Sequence, residues 1–301
     1  MKKKSRYIVA PGQQYALDAA VELGQPLLLT GEPGTGKTMM ASWAVDYLSE
    51  KFPNSFHPHL LRFNTKTTSK ASDLFYTYDA LSHFQAANLR GDHSTKTEDF
   101  ISLEAFGQAI ALSDPKAEFG ERFGMDLPEK SLDSVVLIDE VDKAPRDFTN
   151  DLLDEIENYR FRIKELQGAT YTKKEDVKVV VIMTSNSEKN LPDAFLRRCA
   201  FYHIEFPKGD QLRRIIEIHL GEITKETKTA YDFLIDFFEK ARNKAVRKKP
   251  ATAELIAWLK LLEMEGFHHE QDQGKRKHML ERNLSFLVKT KDDLEAIKTL
   301  I

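Results

Sequence analysis

The sequence predicts an α/β fold with a parallel sheet and a helical C-terminal segment, and three observations predict it. Leu27 to Met40 (LLLTGEPGTGKTMM) is a short apolar run that breaks into a glycine-rich turn and resumes as a helix former. Val135 to Glu140 (VVLIDE) is an apolar run ending in two carboxylates, which suits a strand buried on both faces. Beyond Pro207-Lys208-Gly209 the apolar residues recur at helical spacing to the end of the chain. The expected division is therefore an α/β core over residues 1–207 and a small all-helical domain over residues 208–301.

Taken in order, Tyr7 to Val9 is a short apolar entry, and Pro11-Gly12 opens a helix that carries Ala16, Leu17, Ala20 and Val21 and ends at Gly24. Pro26 to Thr30 is the first strand, Lys37 to Glu50 a helix, and His59 to Asn64 the second strand. Residues 66–128 mix Ser, Thr and Gly with Phe75, Tyr76, Tyr78 and Phe84, and read as an inserted surface excursion with a modest core of its own and an exposed tip at Thr95-Lys96-Thr97. Pro145 to Asn158 is an amphipathic helix with Phe148, Leu152, Leu153 and Ile156 on its apolar face. The period then changes: Tyr159 to Ile163 alternates as a strand, Gly168 supplies a turn, and Thr170 to Thr172 returns, giving a hairpin over 159–172. Val177 to Thr184 and Phe201 to Phe206 are the last strands, and helices are expected at 210–221, 228–246, 251–264 and 276–300.

Composition narrows the function. The 301 residues hold 44 basic and 47 acidic side chains, a net charge of −3, which argues against a dominant electrostatic attachment to nucleic acid or an anionic membrane. One cysteine, Cys199, excludes an intrachain disulfide framework. No apolar run approaches the roughly 20 residues that span a bilayer, and the Lys-rich N-terminus is not followed by an apolar signal core, so a soluble, cytoplasmic protein is expected.

The chemistry concentrates at the glycine-rich turn. In Gly31-Glu32-Pro33-Gly34-Thr35-Gly36-Lys37-Thr38, glycines let backbone N–H groups turn inward around a polyphosphate, Lys37 supplies a point charge, and Thr38 offers a hydroxyl to Mg²⁺ at a helix N-terminus. This is a phosphate-binding loop. At the carboxyl end of a neighbouring strand, Asp139 can hold Mg²⁺ through water, and Glu140 can orient or deprotonate an attacking water. Asn186, after the 177–184 strand, could hold that water through its amide. Arg197 and Arg198, after Leu191-Pro192, read from the residues alone as a solvated bend. Residues 240–249 hold six basic side chains and read as a solvated helix end. His268-His269 read as a surface pair on a helix rather than a metal site, since adjacent helical residues face apart.

The ordered set resembles a known family. Gly31 to Thr38, Ile138-Asp139-Glu140-Val141-Asp142-Lys143-Ala144, the hairpin, Thr184-Ser185-Asn186 and Leu191 to Arg198 resemble the AAA+ ATPases of the MoxR group over about residues 5 to 300. The resemblance implies a P-loop NTPase fold: a five-stranded parallel sheet flanked by helices, an insertion, a pre-sensor hairpin and a helical lid. It implies that Lys37 and Thr38 are Walker A residues, Asp139 and Glu140 Walker B, Asn186 sensor 1, and Arg198 the arginine finger, with Arg197 a competing candidate for that role. The family's sensor 2 arginine has no counterpart in Lys249-Pro250-Ala251-Thr252, where Lys248 or Lys249 could substitute as a point charge.

The function expected on these grounds is Mg²⁺-dependent ATP hydrolysis by a homo-oligomeric, hexameric ring that remodels a protein substrate. Target choice would lie in the insertion, the hairpin or an adaptor, which in the MoxR group is often a von Willebrand factor A domain protein. Two other classes stay open. One is a nucleic-acid motor or loader, for which the hairpin offers Arg160, Arg162 and Lys164 among aromatic residues. The other is a nucleotide-gated binding switch with little hydrolysis.

Overall fold

The computed structural model describes residues 7–90, 96–117, 119–166, 170–187 and 191–301. The basic N-terminus, Thr95 of the expected tip and the Gly168 turn lie outside the described residues. The chain divides into two compact units, one taking the chain up to Gly31 and again from Gly36 to Ile204, the other Glu32–Thr35 with Glu205–Ile301.

The strands are β1 (Leu27–Thr30), β2 (Leu61–Asn64), β3 (Tyr76–Tyr78), β4 (Ile101–Leu103), β5 (Ser134–Asp139), β6 (Arg160–Arg162), β7 (Thr170–Thr172), β8 (Val179–Ser185) and β9 (Ala200–His203). Five of them form one sheet in the order β2-β5-β8-β1-β9, every pairing parallel. The helices of this unit are α1 (Pro11–Leu23), α2 (Lys37–Lys51), α3 (Ala80–Arg90), α4 (Ala105–Ser113), α5 (Phe119–Arg122), α6 (Arg146–Asn158) and α7 (Asp193–Leu196).

Strand alternation builds two cores, because successive side chains leave a strand on opposite faces. Leu27, Leu29, Val135, Leu137, Val180 and Ile182 face one way and meet Leu17 and Ala20 of α1 and Met40, Ala41, Ala44 and Leu48 of α2. Leu28, Val136, Ile138, Val181 and Met183 face the other way and meet α4 and α6. The two-sided burial explains why β5 and β8 read as unbroken apolar runs.

Residues 66–128 do not have the separate core that was expected. Leu74, Phe75, Ile101, Leu103, Phe106, Ala109, Ile110 and Phe119 all belong to the same cluster as the sheet. Every residue of α4 except Gln108 is buried, so the helix has no polar stripe to mark it and its largely apolar sequence carries no helical period. Close approach also explains Gly107: a Cβ there would stand 2.0 Å from the Phe75 carbonyl oxygen. Gly107→Ala should therefore cost about 3 kcal/mol, the upper end of overpacking penalties, although the same change in an exposed helix stabilises. Urea denaturation checks this, and an unchanged midpoint would show that α4 can shift away from Phe75.

Strands β3 and β4 form an antiparallel pair, and so do β6 and β7, whose Phe161 is buried against Phe75 and Tyr171 while Arg160 and Arg162 are exposed.

The second unit contains α8 (Asp210–Leu220), α9 (Lys228–Lys244), α10 (Thr252–Met264), α11 (Gln273–Leu287) and α12 (Lys291–Lys298), packed around Leu234, Phe237, Phe238, Trp258, Leu262, Phe267 and Leu284. The single helix expected over 276–300 is two. The Thr290 hydroxyl accepts from the Asp293 N–H at 3.2 Å and starts a new helix, and Thr290-Lys291-Asp292-Asp293 is a capping-box spacing that marked the break in the sequence. His268 and His269 lie on the turn after α10, not on a helix, and the His268 ring packs on Tyr231.

Asp293 is fully buried, and its carboxylate accepts from the N–H groups of Val246, Arg247 and Lys248 at 2.7, 2.9 and 2.9 Å and from the Thr290 hydroxyl at 2.6 Å. Burial works to raise its pKa, but these donors outweigh it and hold the group at about 2, below the ordinary 3.8. A depressed folded pKa gives stability that is present above the unfolded value and lost as pH falls through the folded one. The helical unit should therefore lose stability from about pH 4 downward, and an acid titration followed by circular dichroism should find that dependence flattened in Asp293→Asn. Among the described residues no helix is long and apolar enough to cross a membrane.

Candidate functional site

Register brings the candidate residues to one edge of the sheet. Thr30 pairs with Ser185 and Ile138 with Met183, so the carboxyl ends of β1, β8 and β5 stand side by side. Gly31, Asn186 and Asp139-Glu140 emerge there, where open α/β sheets bind ligands. The Thr184 hydroxyl donates to the Asp139 carboxylate and accepts from the Glu140 N–H at 2.9 Å, which latches the ends of β5 and β8 together.

The loop after β1 needs its glycines. Gly31, Gly34 and Gly36 have φ of 148°, 81° and 89°, conformations other residues adopt only with strain, and Gly36 is the residue from which α2 starts. Lys37 is 8% exposed, and its Nζ donates to the Gly31 carbonyl at 2.7 Å and to Asn186 Oδ1 at 3.0 Å. Burial lowers the Lys37 pKa, and the nearby Asp142, Asp139 and Glu140 oppose the shift. The Thr38 hydroxyl lies 3.3 and 3.2 Å from the two Asp139 carboxylate oxygens. A hydroxyl and a carboxylate held together offer hard oxygen ligands to a cation that keeps several waters, which fits Mg²⁺. Among the described residues no group of three His, Cys, Asp or Glu side chains could hold a metal by itself.

A family model described as "AAA domain (dynein-related subfamily)" matches residues 26–199. The chain belongs to this family. No curated protein matches the chain. Among solved structures, domain III of the Thermotoga maritima replication initiation protein DnaA is 16% identical, over 95% of this chain and 96% of its own, with a TM-score of 0.47. A RuvB variant from Thermotoga maritima is 14% identical, over 90% of this chain and 67% of its own, with a TM-score of 0.46. The FIGL-1 AAA domain is 14% identical, over 97% of this chain and 86% of its own, with a TM-score of 0.43.

In this AAA domain Glu140 follows β5 in the left-handed region at φ 59°, where a non-glycine residue is strained. Its carboxylate pairs with Lys143 at 2.5 Å, and both side chains are about half exposed. Such a pair is weak, so Glu140 is free to take another hydrogen-bond partner. Asn186 faces two ways, its amide oxygen accepting from Lys37 and its N–H donating to Asp142 Oδ1 at 3.3 Å. Arg197 and Arg198 are exposed at the end of α7, and Arg198 lies 3.7 Å from Glu157 near the end of α6. No hydrogen bond or ion pair joins either arginine to Lys37, Asp139 or Asn186 among the described residues. Next to them, burial pushes the Cys199 thiol up to about 12, and its Sγ lies 3.2 Å from the Phe195 carbonyl.

The tip of the loop belongs to the helical unit. Pro33 is exposed, the Thr35 hydroxyl donates to the Glu32 carbonyl at 2.9 Å, and the Thr252 hydroxyl of α10 donates to the Gly34 carbonyl. Glu32 meets Arg242 of α9 at 2.5 Å and Lys249 at 3.7 Å. Lys248 instead gives its backbone N–H to Asp293. The basic run 240–249 is thus not uniformly solvated: Lys240 and Arg247 are exposed and pair with the exposed Asp236 and Asp292, but Arg242 is buried.

Arg242, Thr184 and Lys143 were missed in the sequence. Arg242 falls four residues after Phe238 on the apolar stripe of α9, so a charged residue at a core position was the available signal. Thr184 is the next-to-last residue of the apolar strand β8, and Lys143 sits three residues after Glu140, placements too common to single out.

Proposed function

We propose that this AAA domain binds ATP at Gly31–Thr38 and hydrolyses it with Mg²⁺. The observation that carries the reading is the convergence of Lys37, Thr38, Asp139 and Asn186 where the ends of β1, β5 and β8 meet. Lys37, already desolvated, neutralises phosphate oxygens with a charge that water does not screen. Thr38 and Asp139 would hold Mg²⁺, which supplies charge neutralisation for the transferring phosphoryl group. Glu140 leaves its weak pair with Lys143 to take the proton of the attacking water, and Asn186 positions that water once phosphate replaces it as the partner of Lys37. Arg198, or Arg197 beside it, serves a neighbouring subunit's site, since each is exposed and neither reaches the site of its own chain.

In this reading residues 1–207 are the nucleotide-binding core, 208–301 the lid, and the protein works as a hexameric ring of the MoxR group that remodels a protein partner through a von Willebrand factor A domain adaptor. The ordered motifs from Gly31 to Arg198 support the group assignment. Phosphate release from ATP by the purified protein tests the activity: it should require Mg²⁺ and stop with EDTA. ATP bound without any release, at concentrations where the chain is oligomeric, would leave a nucleotide-gated switch in its place.

A further inference from the structure

Within the helical unit, the loop tip Glu32–Thr35 is held by a buried arginine that no motif marks. Arg242 is 9% exposed, and its guanidinium plane and both terminal nitrogens are committed. Its plane stacks on Phe206, with Cζ 3.3 Å from the ring centroid, Nη1 donates to the Pro250 carbonyl, and Nη2 meets the Glu32 carboxylate at 2.5 Å. Stacking and the carbonyl fix the fork, leaving one edge aimed at Glu32. A second hold lies two residues on, where Thr252 donates to the Gly34 carbonyl and Ala251 approaches so closely that a Cβ on Gly34 would come within 2.6 Å of its own.

Glu32 is an odd residue for its position. It follows Gly31 in the loop whose N–H groups are read as the seat of a polyanion, and a bare carboxylate there opposes that anion. Arg242 cancels the charge, and Lys249, 56% exposed and 3.7 Å away, adds a weaker second cation. Burial works to raise the Glu32 carboxyl, but hydrogen bonding and charge from Arg242, with Lys249 adding to them, hold it below the ordinary carboxylate value.

We infer that Arg242 is a positioning residue for nucleotide binding: it neutralises Glu32 and fixes the tip of the loop, so that the α9 and α10 helices set the affinity of the loop for polyphosphate. This rests on the reading that Gly31–Thr38 binds ATP. Arg242 acts through Glu32 rather than by touching phosphate, so removing Glu32's charge should make Arg242 dispensable for binding.

The test is a mant-ATP titration of the full chain as wild type, Arg242→Gln, Glu32→Gln and the double variant. Arg242→Gln should weaken binding by about tenfold or more, because it leaves the Glu32 carboxylate uncompensated beside the phosphates. Measured against Glu32→Gln, the double variant should change affinity by less than about threefold, a suppression that a merely structural role for Arg242 does not produce. Should Arg242→Gln fail to fold, Arg242→Lys serves instead: it keeps the charge, loses the fork, and its smaller loss should vanish in the Glu32→Gln background. A loss that persists in that background, or an Arg242 variant that binds like the wild type, overturns the inference while leaving the nucleotide site intact. Wild-type protein that binds no mant-ATP overturns the nucleotide reading and this inference with it.

Discussion

Lys37→Ala and Glu140→Gln will fail in different ways. Lys37 is desolvated and holds both Gly31 and Asn186, so its removal takes away the charge for the phosphates and leaves two acceptors without their donor. Truncating one partner of a buried charge pair costs about 2–5 kcal/mol, which corresponds to a loss of ATP affinity of at least about thirtyfold. Glu140 lies at the surface of the site with a weak partner, so Glu140→Gln should keep the fold and the affinity. Its amide cannot accept the proton of water, and turnover should fall by about 10²–10⁴. Equilibrium binding and steady-state phosphate release, measured on the same preparations, separate the two. A Glu140→Gln protein that turned over ATP at the wild-type rate would remove Glu140 from the role of base, whatever its binding.

The contrast between these residues also shows what the sequence makes legible. Gly31, Gly36, Lys37 and Thr38 act at fixed spacing in one loop, so local pattern suffices, and β5 and β8 announce themselves because burial on both faces demands apolar residues throughout. Helix α4 hides for the same reason in reverse: its burial on all sides removes the polar stripe by which a helix is recognised. The bond from Lys37 to Asn186 joins residues 149 positions apart and depends on the order of strands, which no local pattern encodes. Arg242 was read with its basic neighbours as solvated because charge in a sequence is visible and its desolvation is not. At the C-terminus the failure was avoidable, since the capping spacing at Thr290 competed with helical periodicity and prevailed.

Mixing two inactive variants should restore activity. If Arg198 completes a neighbour's site, Glu140→Gln lacks the base, Arg198→Ala lacks a transition-state charge worth about 10³–10⁵ in rate, and each alone should be nearly inactive. In a mixed ring some interfaces place the intact Glu140 of one subunit against the intact arginine of the next. Those sites are whole. Arg198→Ala loses only an exposed ion pair with Glu157, which contributes little to stability, so inactivity would not reflect misfolding. A mixture as inactive as its components, after labelled subunits have been shown to exchange, would confine Arg198 to its own chain. The same mixture made with Arg197→Ala identifies which arginine crosses the interface.

The lone cysteine decides how such labels can be attached. Cys199 is partly buried, its Sγ lies against the Phe195 carbonyl, and its thiol ionises near 12, so at neutral pH almost none of it is thiolate. Maleimide dyes react through the thiolate and should leave the native chain unmodified on the timescale of a labelling reaction. A cysteine introduced at the exposed Lys225 would then be the single reactive position, and donor and acceptor dyes could be placed on the two variants without first deleting the residue beside Arg198.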